Sequence, residues 1–227
     1  MLVRDCMTSD PITIRPGSDP IAALNVLKSC GFRHLPVLDN DGRLVGIVDR
    51  TDLESFLSQA GSPGVQKRQH RVEQLMIRQV VTVAADCPLE EAASLMVKHK
   101  IGSLPVVDGE KVVGIITETD IFRQFAMALG GGTDSLRLTV QVADVPGQIA
   151  LLTGAIAGAK GNITSVVSHP AGRSGRLNLT LRVESIPREM LLKAITSLSG
   201  VEVLYVWSSD AALEDPSPGL SGDDALP

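Results

Sequence analysis

Two seven-residue stretches carry the side chains best placed for chemistry. They are GIVDRTD at 46–52 and GIITETD at 114–120. Each sets an oxygen acceptor three residues before an aspartate: Asp49 before Asp52, and Thr117 before Asp120. A hydroxyl or carboxylate followed at that spacing by an acid, where a strand passes into a helix, is a capping box, and such a cap contributes about 0.5–2 kcal/mol without any ligand. Other chemistry lacks its parts. There is no Gly-x-Ser-x-Gly, and no cysteine and histidine stand at a useful spacing. His34, His70, His99 and His169 show no ligand spacing with one another or with Cys6, Cys30 and Cys87, so no metal centre is expected. Gly130-Gly131-Gly132 is not followed by Gly-Lys-Ser/Thr and is no phosphate loop.

The two stretches belong to a longer internal repeat. Residues 5–53 lie over 73–121, with Met7 on Met76, Leu35-Pro36-Val37 on Leu104-Pro105-Val106, and Val45-Gly46-Ile47 on Val113-Gly114-Ile115. Two copies are too few for a solenoid and enough for a pseudo-symmetric pair with a shared buried face. Each copy reads strand, helix, strand, strand, helix. PITI (11–14) and VVTV (80–83) are predicted as the first strands. Pro20 and Pro88 mark helix starts, and Asn40-Asp41-Gly42 and Gly109 mark hairpin turns. The closing helices are expected from about Asp52 and Asp120.

Beyond the triple glycine the pattern changes. LRLTVQV (136–142), NITSVVSH (162–169), RLNLTLRVE (176–184) and VEVLYVW (201–207) read as strands. Helices are predicted within 144–161 and 187–198, which makes a ferredoxin-like βαββαβ unit. The expected fold class is therefore α+β. Its divisions are repeat 1 at 1–57, a linker at 58–71, repeat 2 at 72–129, a joint at 130–134, the βαββαβ unit at 135–208, and a disordered tail at 209–227.

Composition narrows the function. Five of the 26 acids lie beyond Ser209; without them 21 acids face 21 Lys and Arg. A neutral body with only 3% aromatic residues offers neither the electrostatic footprint nor the stacking faces of a nucleic-acid binder. Three cysteines without a framework read as reduced thiols, and no apolar run reaches the ~20 residues of a membrane span. A cytoplasmic protein with no membrane contact is expected.

The duplication, with Leu-Pro-Val and Gly-Ile-x-x-x-Thr-Asp in each copy, resembles a tandem of CBS domains, the Bateman module, over residues 3–126. The resemblance implies two repeats packed through their sheets, with two clefts that often hold adenosine derivatives. In that family the Ser/Thr and Asp of the motif hold ribose hydroxyls. Carried over, Thr117 and Asp120 would face Thr8, Ile12, Arg33 and His34 as one nucleotide site. The other cleft would set Asp49 and Asp52 beside Ile77, Gly102 and Ser103. There Asp49 departs from the family's Ser/Thr, Ile77 stands where Thr8 offers a hydroxyl, and no cation matches Arg33. This cleft is expected to be weak or vacant.

DVPGQIALLTGAIAGAKGNITSV (144–166) resembles the opening of an ACT domain. That implies a ligand loop at Asp144, Pro146 and Gly147, and Asn162 and Ile163 facing it across a domain pair, usually around an amino acid. The other reading of these residues is a simple turn in a dimerisation module. Two CBS copies followed by an ACT domain resemble the AcuB-type family, named for acetoin utilisation. The expectation is a non-catalytic, homodimeric regulatory protein. It has no cofactor, senses an adenosine nucleotide (AMP, ADP, ATP or S-adenosylmethionine), and acts on a separate target protein. The alternative is a dimeric interaction scaffold with vestigial sites.

Overall fold

A computed structural model describes residues 1–59, 70–172 and 175–208. Most of the expected linker and the acidic tail lie outside the described residues. The chain divides into two compact units, Met1–Gln124 and Phe125–Pro227. Both are mixtures of helix and strand.

The first unit runs β1 (Thr8–Ser9), α1 (Pro20–Cys30), β2 (His34–Leu38), β3 (Leu44–Asp49), α2 (Arg50–Gln59), β4 (Val83–Ala84), α3 (Leu89–His99), β5 (Ser103–Asp108), β6 (Lys111–Thr117) and the start of α4 (Glu118–Ala128). Local chemistry sets these bounds. The Asp19 carboxylate accepts from the Ile21 N–H at 2.9 Å, and Pro20 opens α1. Gly31 closes it in the left-handed region at φ 69°. In the β2–β3 hairpin, Asp39 Oδ1 accepts from the N–H groups of Asp41 and Arg43 at 3.0 and 2.9 Å.

The repeats exchange their entry segments. Thr8 and Ser9 pair antiparallel with Ile115 and Gly114 of β6. In return, Ile77 and Ile47 exchange both backbone hydrogen bonds, at 2.9 and 3.0 Å. The cores follow the same rule. Val3 is buried among Leu89, Met96, Leu104 and Ile116 of repeat 2. Val72 and Met76 are buried among Leu27, Leu35, Val48 and Leu53 of repeat 1. Each apolar core is therefore closed by chain from the other copy, which makes the pair the folding unit.

Four expectations are corrected here. PITI forms no strand: Ile14 makes one isolated bridge to Val37, while the pairing shifts to Thr8–Ser9. Pro11, without an N–H, cannot donate to a ladder. In VVTV only Val83 pairs, and the strand runs on to Ala84, parallel to Val106–Val107. α2 and α4 begin at Arg50 and Glu118, two residues before the expected aspartates, because Asp49 and Thr117 sit at the caps. Pro88 stands at the N-cap of α3, one residue outside the helix.

The second unit holds β7 (Leu136–Ala143), α5 (Gln148–Gly158), β8 (Asn162–Pro170), β9 (Arg176–Glu184), α6 (Arg188–Thr196) and β10 (Glu202–Trp207). Its antiparallel sheet has the order β10-β7-β9-β8. Leu138, Val140, Leu179 and Leu181 alternate inward onto Leu152 and Ile156 of α5 and Leu191 and Ile195 of α6. The intervening residues pair across the opposite face, Thr139 with Thr180 and Gln141 with Asn178, both at 3.1 Å. Gly130 belongs to this unit: a Cβ there would lie 2.8 Å from Arg182 Cγ.

Candidate functional site

The strand exchange brings residues from both repeats to the ends of β3 and β6. Two clefts result, both within the first unit. The first has a volume of about 340 Å³, and Thr8, Ile12, Arg33, His34, Thr117 and Asp120 all line it. These are the six residues named from sequence. Thr8 and Ile12 come from the entry of repeat 1, Arg33 and His34 from the start of β2, and Thr117 and Asp120 from the β6–α4 junction. That volume lies in the usual range of small-molecule pockets, ~300–1,000 Å³.

At its polar end Asp120 and Thr117 form the full capping box. Asp120 Oδ2 accepts from the Thr117 N–H at 3.0 Å and from the Thr117 hydroxyl at 2.6 Å, while Thr117 Oγ1 accepts from the Asp120 N–H at 3.3 Å. Arg123, three residues along α4, reaches Asp120 Oδ1 at 3.4 Å. Arg33 and Arg123 give this cleft two cations against one carboxylate. Ile12 and Phe32, 46% and 40% exposed, stand on its wall, so their exposure is the surface of a groove. The sequence reading missed Phe32, Thr119 and Arg123; the i,i+3 spacing of Asp120 and Arg123 was the available signal.

The second cleft measures about 420 Å³ and is lined by Asp49, Asp52, Ile77, Gly102 and Ser103, as expected, and also by Lys100 and Glu118. No cation matches Arg33, whose counterpart is Gly102, but Lys100 brings a cation to this cleft from another position. Lys100 aligns with Gly31 in the other repeat and takes the same left-handed turn, at φ 54°. Arg33 and His34 line both clefts and form the wall between them. Arg33 Nη2 lies 3.7 Å from Glu118 Oε2, and His34 Nε2 lies 3.0 Å from Asp49 Oδ2. Asp49 Oδ1 meanwhile accepts from the Thr51 N–H. Thus Asp49 caps α2, accepting also from the Asp52 N–H at 3.4 Å, and holds His34, while the Asp52 carboxylate has no hydrogen-bond or ion-pair partner among the described residues. The Ser103 hydroxyl, buried in a residue 4% exposed, also has no hydrogen-bond partner among them.

Burial pushes the His34 imidazole below its ordinary value of 6.5, with Asp49 opposing and Arg33 assisting the shift. The folded state thus prefers neutral His34. Stability from this group is present above about pH 6.5 and declines as pH falls toward the lowered folded value, because the unfolded chain takes the proton first. The melting temperature of the wild type is expected to fall more steeply between about pH 7.5 and 5.5 than that of His34→Gln. Parallel melting curves for the two proteins would refute this assignment.

In the second unit the sequence-named residues separate. Gly147, at φ 96°, precedes α5, and the Asp144 N–H donates to the Gly175 carbonyl at the β9 start. Asn162 and Ile163 pair with Glu184 and Val183 at the other end of β9. One chain therefore does not bring Asp144, Pro146 and Gly147 together with Asn162 and Ile163.

Among the described residues no group of His, Cys, Asp and Glu could hold a metal ion, and no helix is long and apolar enough to cross a membrane.

Comparison with known proteins identifies the repeats. The CBS domain family profile matches residues 3–59 and 72–126. A CBS domain-containing protein of Dictyostelium discoideum is 34% identical over 128 residues, covering 53% of this chain and 88% of that protein. The solved CBS domain pair of protein MJ0100, in complex with 5′-methylthioadenosine and S-adenosyl-L-methionine, is similar at 34% identity. It covers 56% of this chain and 97% of that one, with a TM-score of 0.50. A Vibrio cholerae protein described as an acetoin utilization protein (AcuB) aligns at 33% identity over 57% of this chain and 92% of its own, also at 0.50. Against the first curated enzymes matched, the chain spans only about a quarter of their length, 23%.

Proposed function

The chain belongs to the CBS-domain family, and from that premise we propose that it is a non-catalytic sensor that binds a phosphorylated adenosine ligand in the first cleft. The observation that carries this reading is the gathering of Thr8, Arg33 and His34 from one repeat around Thr117 and Asp120 from the other. Asp120 supplies carboxylate oxygens for the vicinal hydroxyls of a ribose, with Thr117 as a second partner. Ile12, Phe32 and Ile115 offer an apolar wall for the base. Arg33 and Arg123, with the start of α4, supply positive potential for phosphate. The adenosine derivatives held by the MJ0100 pair carry no phosphate and support the adenosine part of this reading; the phosphate part rests on Arg33 and Arg123.

Because residues of both repeats meet in the cleft, a ligand there favours one packing of the pair. It shifts that balance only by its differential affinity for the two states. In this reading the second unit is an ACT-type module that pairs subunits, with Asp144, Pro146, Gly147, Asn162 and Ile163 around an amino acid shared across the pair. The protein is cytoplasmic, homodimeric and of AcuB type, and it acts on a separate target. One observation favours the rival scaffold reading: the Thr117–Asp120 capping box is complete without ligand.

Isothermal titration of nucleotide-stripped protein with AMP, ADP, ATP and S-adenosylmethionine decides between them. Binding of a phosphorylated member at one site per chain is expected. No heat from any of the four would leave the motif as a pair of helix caps and the protein as a scaffold.

A further inference from the structure

His34 is a titratable ring set in the wall of the first cleft. Its Nε2 lies 3.0 Å from Oδ2 of Asp49, a carboxylate that lines the second cleft and not the first. The two side chains are largely buried, 17% and 25% exposed. Register makes the pair, since His34 of β2 lies opposite Asp49 of β3. The equivalent positions of the other repeat, Ser103 opposite Thr117, hold no charge. The symmetry of the repeats is broken here by a histidine and the acid that holds it. Burial is the largest influence on the ring and opposes its charged form, as does Arg33 beside it; Asp49, Glu118 at the start of α4 and Asp52 on α2 favour that form. Lys100 adds a cation to the second cleft. On the first-cleft side stand Asp120 and Arg123 of α4, bonded to each other at 3.4 Å. An anion entering the first cleft meets Arg33, cancels its repulsion, and adds a charge opposite to that of imidazolium. One unit charge about 6 Å away, at an effective dielectric of about 20, moves a proton equilibrium about 100-fold.

We infer that the first cleft is proton-linked: His34 takes up a proton as the anionic end of the ligand arrives, so the cleft holds an anionic ligand more tightly as pH falls below neutrality. This rests on the reading of the first cleft as a site for a phosphorylated adenosine and adds a regulation of that site. The sign follows from linkage. A group that gains a proton on binding makes affinity rise as pH falls, and the gain ends once the free protein is itself protonated. Free His34 titrates below its ordinary 6.5, so the gain opens near neutrality and runs down to that lowered value. Asp49 is a positioning residue here. It stands on the other side of the ring from the ligand, and the imidazolium lies between two anions. The protein thereby responds to the ligand and to acidity together.

The test is titration calorimetry of the full-length protein with AMP from about pH 8 to about pH 6, repeated in buffers of different ionisation enthalpy to count protons. Wild type is expected to bind AMP at least about twofold tighter at the acid end, and His34→Gln to show no gain. The phosphate's own titration near pH ~6 works the other way, because arginines favour its dianion, so a gain toward acid has to come from the protein. Near pH ~6.5 wild type is expected to take up about half a proton more per AMP than His34→Gln. Asp49→Asn, which keeps an acceptor for the α2 cap, is expected to lose about half of the wild-type gain, and it carries the test if His34→Gln does not fold. Adenosine, uncharged at the 5′ position, is the second probe, and its affinity for wild type is expected to stay within about 1.5-fold over the same range. Wild-type AMP affinity that is flat, or that runs parallel to that of His34→Gln, overturns the proton link and leaves the nucleotide site intact. An equal gain for adenosine overturns the assignment of the proton to the ligand's charge. No AMP binding by wild type at any pH overturns both readings.

Discussion

AMP binding by the Asp120→Asn variant is expected to be about 10–100-fold weaker than by wild type, while Asp52→Asn leaves it within about twofold. The asymmetry follows from the two clefts. Asp120 is a largely buried carboxylate, its side chain 16% exposed, and Thr117 and Arg123 already aim its oxygens. A hydrogen bond to a charged group in such a position is worth about 1.5–3 kcal/mol, and each 1.4 kcal/mol is tenfold in affinity. Asparagine keeps the shape and one acceptor. It therefore preserves most of the helix cap, so the loss reads out the ligand contact more than the fold. Asp52 lies in the cleft that Asp49 and Glu118 also line, where carboxylates oppose phosphate. Titration calorimetry on the two variants and wild type measures this directly. Equal losses from both substitutions would show that AMP uses the two clefts alike, and would sink the one-site reading.

Much of this site was legible because the chemistry is written twice. The repeat aligns Thr117 on Asp49 and Met7 on Met76, and the family resemblance then names the six residues that the structure gathers on the first cleft. Local rules also worked where a residue has one dominant option. Gly42 and Gly109 turn the two hairpins at φ 81° and 60°, where residues with a Cβ are disfavoured. In the second unit the period-2 alternation of 176–184 matched β9 residue for residue.

Reading failed where the outcome depends on what lies opposite in space. PITI has strand composition, but its partner edge is met by Thr8–Ser9 instead. Lys100 was missed as a cleft cation because it sits at a left-handed turn where glycine is the usual choice, and its alignment with Gly31 hid its charge. The His34–Asp49 contact pairs residues that lie opposite each other in the β2–β3 register, which no spacing rule in the motif announces.

Gly114 and Gly46 link that exchange to ligand binding, and valine at either is expected to destabilise the first unit by about 1–3 kcal/mol. At Gly114 an added Cβ would lie 2.5 Å from Met7 Sδ and 3.1 Å from the Thr8 carbonyl oxygen. At Gly46 it would lie 2.6 Å from Met76 Sδ and 3.1 Å from the Ile77 carbonyl oxygen. A methionine tip can swing aside, but the carbonyl belongs to the exchanged backbone, and the further methyls of valine press on the same segment. Valine favours a strand over glycine, which offsets part of the cost; the displaced pairing with β1 or Ile77 outweighs it. The two variants then part company in function. Thr8 lines the first cleft and Ile77 the second. Gly114→Val should therefore weaken AMP binding severalfold or more, while Gly46→Val, at similar loss of stability, leaves AMP affinity near wild type. Urea unfolding with titration at matched temperature separates the two effects. If both variants lose AMP affinity equally, the entry segments do not address the clefts one by one, and the exchange serves only to close the cores.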